Sequence, residues 1–262
     1  MQNRIQQGWV KTAIEAGVAE ITFFHPAHNS LPAKVLRELT EAIRTAGENE
    51  EVQVIVLKSG GNRTFCAGAS FDELISIRDL ETGKQFFMGF ANVINACRKC
   101  PKFIVGRLQG KAVGGGVGIA AAVDYCYATR YASVKLSELA IGIGPFVVGP
   151  AVERKLGTAC FSQMAINATA WYQPNWAKAN GLFAEVYEST EAMDEEIATF
   201  TKQLATFNPQ AMQLLKKAFW RGCENWDTLL ADRAAMSGEL VLSKFTVDAI
   251  NTFKAKLKNN EA

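Results

Sequence analysis

Short apolar runs rich in β-branched residues alternate with helical periodicity through the first two thirds of this chain; helical periodicity then takes over. Val18 to Phe24 reads as a strand, and Pro32 to Ala46 as an amphipathic helix with proline in its first turn. Val52 to Lys58 has the composition of a strand buried on both faces. Ser70 and Glu73 have the spacing of a capping box, which predicts a helix starting at Ser70. A longer helix follows over about Lys84 to Cys100, stopped by Pro101. Lys102 to Leu108, Tyr125 to Thr129 and Ser133 to Leu136 are further strands. Helices are expected over 149–156, 158–166 and 174–180, and four more over 191–207, 209–222, 226–242 and 244–258.

This order predicts an α/β fold of ββα or βα units with parallel pairing, closed by an all-helical end. We divide the chain into a core over residues 1–190 and a helical region over 191–262. The latter's helices need a surface to pack on, from the core, another subunit or both. No internal repeat, low-complexity segment or linker interrupts the chain.

At 262 residues the chain can bury a substantial core. Its 28 basic and 26 acidic residues nearly balance, and no basic stripe is interleaved with aromatics, which argues against a nucleic-acid partner. Met1 to Gln7 carries no apolar run behind a charged end, which argues against a secretory signal. The longest uncharged apolar stretch, Leu139 to Val152, is too short to span a bilayer and is broken by glycine and proline. A soluble, cytoplasmic protein with no membrane partner is the expectation. In that context the six cysteines are expected as free thiols. Cys97 and Cys100 form a CxxC, but no second pair or nearby histidine completes a metal site, so no metal is expected.

Chemistry is suggested at three places. In Gly114-Gly115-Gly116-Val117-Gly118, consecutive glycines bare the backbone ahead of residues that can start a helix, whose first N–H groups lack internal partners. Upstream, Phe65-Cys66-Ala67-Gly68-Ala69 leads into the Ser70 helix and leaves the Ala69 amide at a loop-to-helix junction. Two such amides could form an oxyanion hole. Glu138 is the only carboxylate between Asp124 and Glu153; burial there would raise its pKa, whereas an edge position would leave it in water. Gly116 to Ala121 also fits the dinucleotide pattern G-x-G-x-x-A with an acid about twenty residues on, yet the next strand follows too soon for a full crossover helix. His25 and His28 share one loop, and no G-x-S-x-G elbow accompanies them, which argues against a serine hydrolase. Lys34 and Arg63 are either phosphate ligands or ordinary surface charges.

Taken together, Phe65 to Ala69, Gly114-Gly115-Gly116 and Ser137-Glu138 with Gly142-Ile143-Gly144-Pro145 resemble the enoyl-CoA hydratase/isomerase (crotonase) superfamily over nearly the whole chain. The resemblance implies a spiral of ββα units with a C-terminal helical region, a homotrimer or dimer of trimers, an acyl-CoA thioester ligand and no further cofactor. It assigns the oxyanion amides to Ala69 and Gly115 and proton transfer beside the thioester carbonyl to Glu138. It also places Cys66, Ala67, Ala69, Ser70, Phe71, Asp72, Gly115 and Pro145 along the substrate path. Two departures stand out. The first glutamate of two-glutamate hydratases is Gly118 here, and the usual aspartate after the oxyanion alanine is Ser70. Members with only the later glutamate include Δ3,Δ2-enoyl-CoA isomerases, while the segment around Glu138 resembles methylglutaconyl-CoA hydratases. Hydration and isomerisation both stay open at this point, as does a non-catalytic or differently specialised acyl-CoA-binding homologue.

Overall fold

The computed structural model describes residues 8–260, with side chains as far as Thr252; the Met1 to Gln7 segment lies outside the described residues. Strand β1 (Trp9–Glu15) forms an antiparallel hairpin with β2 (Val18–Phe24). From β2 the chain winds as a spiral, each turn giving a strand to a large sheet, a short strand to a smaller sheet, and a helix. The first turn is β2, β3 (Ser30–Leu31) and α1 (Ala33–Glu48). The second is β4 (Val54–Ser59), β5 (Thr64–Cys66), β6 (Gly68–Ala69), α2 (Phe71–Leu74) and α3 (Leu80–Lys99). The third is β7 (Phe103–Leu108), β8 (Lys111–Val113) and α4 (Gly115–Ala122). The fourth is β9 (Tyr125–Thr129), β10 (Val134–Lys135), a 3-10 turn over Glu138–Ile141 and α5 (Gly149–Ile166). Then follow α6 (Pro174–Ala179), β11 (Glu185–Tyr187), α7 (Thr190–Leu204), α8 (Pro209–Phe219), α9 (Trp226–Leu240) and α10 (Lys244–Asn260).

The large sheet has the order β1-β2-β4-β7-β9-β11 and is parallel apart from the β1 hairpin; β10-β8-β5 and β3-β6 form two small parallel sheets. Buried strands carry the longest apolar runs: Val54 to Leu57 are all inaccessible or nearly so, with Ile104 and Val105 beside them on β7. Helix α4 is buried along its whole length. Its glycines and alanines allow that, since a helix of small residues can be packed on every side.

The helical end lies on this core. Met193, Ile197 and Leu204 of α7 cover Val54, Val56, Val105 and Tyr127 of the sheet. Helices α3 and α9 touch backbone to backbone: a Cβ on Gly83 would lie 2.8 Å from the Gly238 carbonyl oxygen. Helix α8 is fastened by the buried Lys216, whose ammonium pairs with Asp124 at 2.8 Å and donates to the Lys102 carbonyl at 2.7 Å.

Several elements differ from the sequence expectation. Strands β1, β8 and β11 carry no strong apolar alternation; most of β1 faces outward, and β8 and β11 are three residues each. Helix α3 begins at Leu80 instead of near Lys84, because the Asp79 carboxylate caps it by accepting the Thr82 N–H at 2.8 Å. The Ser70 helix is one turn long. Helix α5 is two helical pieces joined by a kink at Gly157 (φ 77°, ψ 161°), which matches the two segments read from the periodicity.

Candidate active site

The β6 strand lies against the junction of β8 and α4: a Cβ on Gly68 would sit 3.1 Å from the Val113 carbonyl oxygen and 3.8 Å from the Gly115 nitrogen. In the β3–β6 pair Leu31 faces Ala69, and the Ser70 N–H donates to the Leu31 carbonyl at 3.0 Å. Successive strand amides point to opposite edges, so the Ala69 N–H is aimed away from β3. Gly115 is the first residue of α4, where a helix has no internal acceptor for its N–H. Gly114 makes this start possible. Its φ of +52° is a conformation open to glycine, and its carbonyl takes both the Val117 and Gly118 amides at 2.9 and 3.1 Å.

Glu138 closes the group. A Cβ on Gly114 would lie 2.9 Å from Glu138 Oε1, so the carboxyl rests against the residue that precedes the Gly115 amide. Its Oε2 is shut off from solvent and has no hydrogen-bond partner among the described residues. Burial pushes this carboxyl up to about 7, opposed in part by its own and the Ser137 backbone amides. The buried alternative of the sequence reading therefore holds, and the solvated edge does not. A carboxyl half ionised near neutrality can both accept and return a proton.

The expected second-carboxylate position is filled differently. A Cβ on Gly118 would come 2.6 Å from Val148 Cγ1 and 3.5 Å from Ile94 Cδ1, so apolar side chains occupy that space. Val148 is itself buried.

The remaining candidates divide. Ala67, Ala69, Phe71, Asp72 and Pro145 are partly exposed, and Phe71 joins Ala69, Ile75 and Ile77 in an apolar cluster. The Cys66 and Ser70 side chains are buried and bonded within their own loop. The Cys66 thiol is fully buried, pushed up to about 12 by that burial, and accepts the Gly68 N–H at 3.4 Å; it supports the loop from beneath. The Ser70 hydroxyl is buried and accepts the Glu73 N–H at 3.4 Å. The reciprocal half of the capping box is missing: Glu73 instead accepts the Ala33 N–H at 2.8 Å, which ties α2 to the start of α1. Lys34 pairs with Glu38 at 3.5 Å on the exposed side of α1, and Arg63 lies on an exposed turn.

Sequence reasoning missed Asn29. Held at φ 54°, its side chain accepts the His25 N–H at 2.8 Å and donates to the Gly60 and Thr64 carbonyls at 2.9 and 2.8 Å, while its carbonyl accepts the Ala67 N–H at 3.3 Å. It thus fixes the loop that presents Ala69. The only signal was an asparagine in a turn, a residue type that tolerates positive φ. Asn29→Gly keeps that conformation and removes the three side-chain bonds. It is expected to lower kcat at least about tenfold, with a melting shift equivalent to roughly 1–3 kcal/mol. A melting shift with unaltered kcat would make Asn29 merely structural.

The enoyl-CoA hydratase/isomerase family model matches residues 13–259. The chain belongs to that family. Members act on acyl-CoA thioesters, and the ββα spiral here is their fold. Short-chain-enoyl-CoA hydratase of Clostridium acetobutylicum is 29% identical over 249 residues, 93% of this chain and 94% of the relative. Mitochondrial methylglutaconyl-CoA hydratase of Rattus norvegicus is 28% identical over 87% of this chain and 73% of its own length. Peroxisomal Delta(3,5)-Delta(2,4)-dienoyl-CoA isomerase of Arabidopsis thaliana is 26% identical over 82% of this chain and 81% of its own. The crystal structure of enoyl-CoA hydratase from Bacillus halodurans superposes with a TM-score of 0.86 at 21% identity, over 93% of this chain and 99% of that one. Among the described residues, no group of three or more His, Cys, Asp or Glu could hold a metal ion, and no helix is long and apolar enough to cross a membrane.

Proposed function

We propose that this family member moves the double bond of a 3-enoyl-CoA into conjugation with its thioester, using Glu138 as the sole proton carrier. The Glu138 carboxylate removes a proton from C2, the thioester oxygen gains negative charge, and the Ala69 and Gly115 amides hold it. The resulting dienolate carries carbanion character at C4, and Glu138 returns the proton there. The double bond shifts from C3–C4 to C2–C3, with no net gain or loss of atoms and no further cofactor. Preorganised donors in a site that excludes water are the largest stabilising influence available to such a charge.

One observation carries the choice of isomerisation: Val148 fills the space at Gly118 where a second carboxylate would stand. Hydration needs one group to activate water and another to protonate carbon, whereas a single buried carboxyl suffices to relay a proton. Hydration is the second reading, favoured by the names of two of the relatives above. Purified protein is expected to convert a 3-enoyl-CoA to its 2-enoyl isomer at ordinary enzymatic rates and to leave crotonyl-CoA largely unhydrated. Hydration of crotonyl-CoA at a comparable rate would overturn the single-carboxylate reading.

A further inference from the structure

Beyond the site lies a cavity of about 400 Å³. Leu74, Ile75 and Ile77, from α2 and the turn after it, form one wall; Val241, Val247 and Ile250, from the end of the helical region, form the other. The cavity continues the site's own apolar surface. Ala69, Phe71, Ile141 and Ile143 pack in one cluster with Leu74, Val241 and Ile250, and the Ile143 N–H donates to the Glu138 carbonyl at 3.0 Å. Apolar side chains therefore run without a polar break from Ala69 and the turn that carries Glu138 to this space.

Resting on the acyl-CoA reading above, we infer that the preferred acyl group is a medium-length aliphatic chain of about eight to twelve carbons, its tail enclosed between α2 and α10. The size follows from volume. A methylene takes up about as much room as a water molecule, roughly 30 Å³. A tail of about four to eight carbons beyond the reacting ones takes up roughly 120–240 Å³, about a third to three fifths of the cavity, and so enters without straining its walls. A four-carbon acyl group ends within the reacting atoms and leaves the apolar walls in contact with water. The chemistry follows from the lining. Arg78 and Asn251 are the polar members, and Arg78 is already engaged, its Nη1 donating to the Ile75 and Ile77 carbonyls at 2.6 and 2.8 Å. A charged tail would lose its hydration against seven aliphatic side chains, which disfavours it strongly.

Saturated thioesters test this apart from turnover, because they lack the double bond that the reaction moves. Calorimetric titration with butyryl-, hexanoyl-, octanoyl- and decanoyl-CoA is expected to show affinity rising about fourfold per methylene, roughly 250-fold from butyryl to octanoyl. Ile77→Trp and, on the facing wall, Leu242→Trp are each expected to bring octanoyl-CoA back to within a fewfold of butyryl-CoA. A flat series would overturn the inference. So would glutaryl-CoA binding more tightly than octanoyl-CoA, which would make Arg78 a carboxylate receptor. Neither result touches the isomerisation assay, and a failed assay leaves this titration standing.

Discussion

Glu138→Gln is expected to lower kcat by about a thousandfold, the scale of a lost positioned acid–base group, while KM stays within a fewfold. The amide fills the same space but cannot exchange a proton with C2 or C4. In the parent, kcat/KM should fall as pH drops below about 7, because the carboxylate form begins the reaction and the carboxyl is pushed up to about 7. The same variant should be more stable than the parent in alkaline solution. A carboxyl whose folded pKa is raised prefers to be neutral in the folded state. Its contribution to stability is full below the ordinary carboxylate value of 4.5 and is lost as pH rises through about 7. Each tenfold change in proton affinity is worth about 1.4 kcal/mol, so the whole loss is on the order of 3 kcal/mol. Glutamine stays neutral throughout. Denaturant melts at pH 4 and pH 8 should therefore coincide at the first pH and separate at the second, with the variant ahead. Activity within tenfold of the parent would remove Glu138 from the reaction; coincident melts at both values would mean its carboxyl is solvated.

That combination, an acid with a buried carboxyl beside a helix start, was half legible in the sequence. The apolar neighbourhood of Glu138 and the small residues at 66–69 and 114–118 stand out because few other roles use such composition. Long periodic elements such as β2, β4 and α1 could be read for the same reason: their burial is continuous enough to write itself into the pattern. The two- and three-residue strands β3, β6, β8, β10 and β11 are set by the spiral, whose turns bring them side by side, and a run that short has no measurable period. The same topology disposes of the dinucleotide reading. Strand β8, which runs directly into the glycines, belongs to a small sheet and β9 after them to the large one, so the motif does not follow a strand of the sheet it returns to, as the fingerprint requires. What no local pattern could supply was the identity of distant neighbours. Val148 lies thirty residues from Gly118, and Asn29 lies nearly forty from the loop it holds. The Ser70–Glu73 spacing marked the helix start correctly, but only the Ser70 half of the capping box forms, for a related reason: Glu73 has a tertiary partner, the Ala33 amide, that its own helix could not reveal.

Removing the Gly115 amide is the other change with a large expected effect, and the surroundings dictate how it must be done. Proline fits the first position of a helix and deletes only an N–H that α4 itself does not use. Gly114, having no Cβ, eases the usual restraint on a residue before proline. The obstacle is Phe90: any Cβ at 115 would lie 2.2 Å from its Cε1 and 2.3 Å from its Cζ. Gly115→Pro alone would therefore mix a lost donor with a collision. Placing both Gly115→Pro and Gly115→Ala in a Phe90→Ala background makes room, at a stability cost of roughly 3–5 kcal/mol shared by the two proteins. Alanine keeps the N–H and proline does not, so their ratio isolates the donor. The proline protein is expected to turn over a hundredfold to a thousandfold more slowly than the alanine protein, about 3–4 kcal/mol of transition-state stabilisation. Circular dichroism and melting should leave the pair alike, because the fold makes no use of that hydrogen, and their KM values should stay close. The enolate's charge develops only as the C2 proton departs, so an amide that serves it must show its loss in kcat. Equal turnover in the two would mean that the thioester oxygen is held elsewhere, and that the bare backbone at Gly114 and Gly115 serves only to let Glu138 and Phe90 pack close.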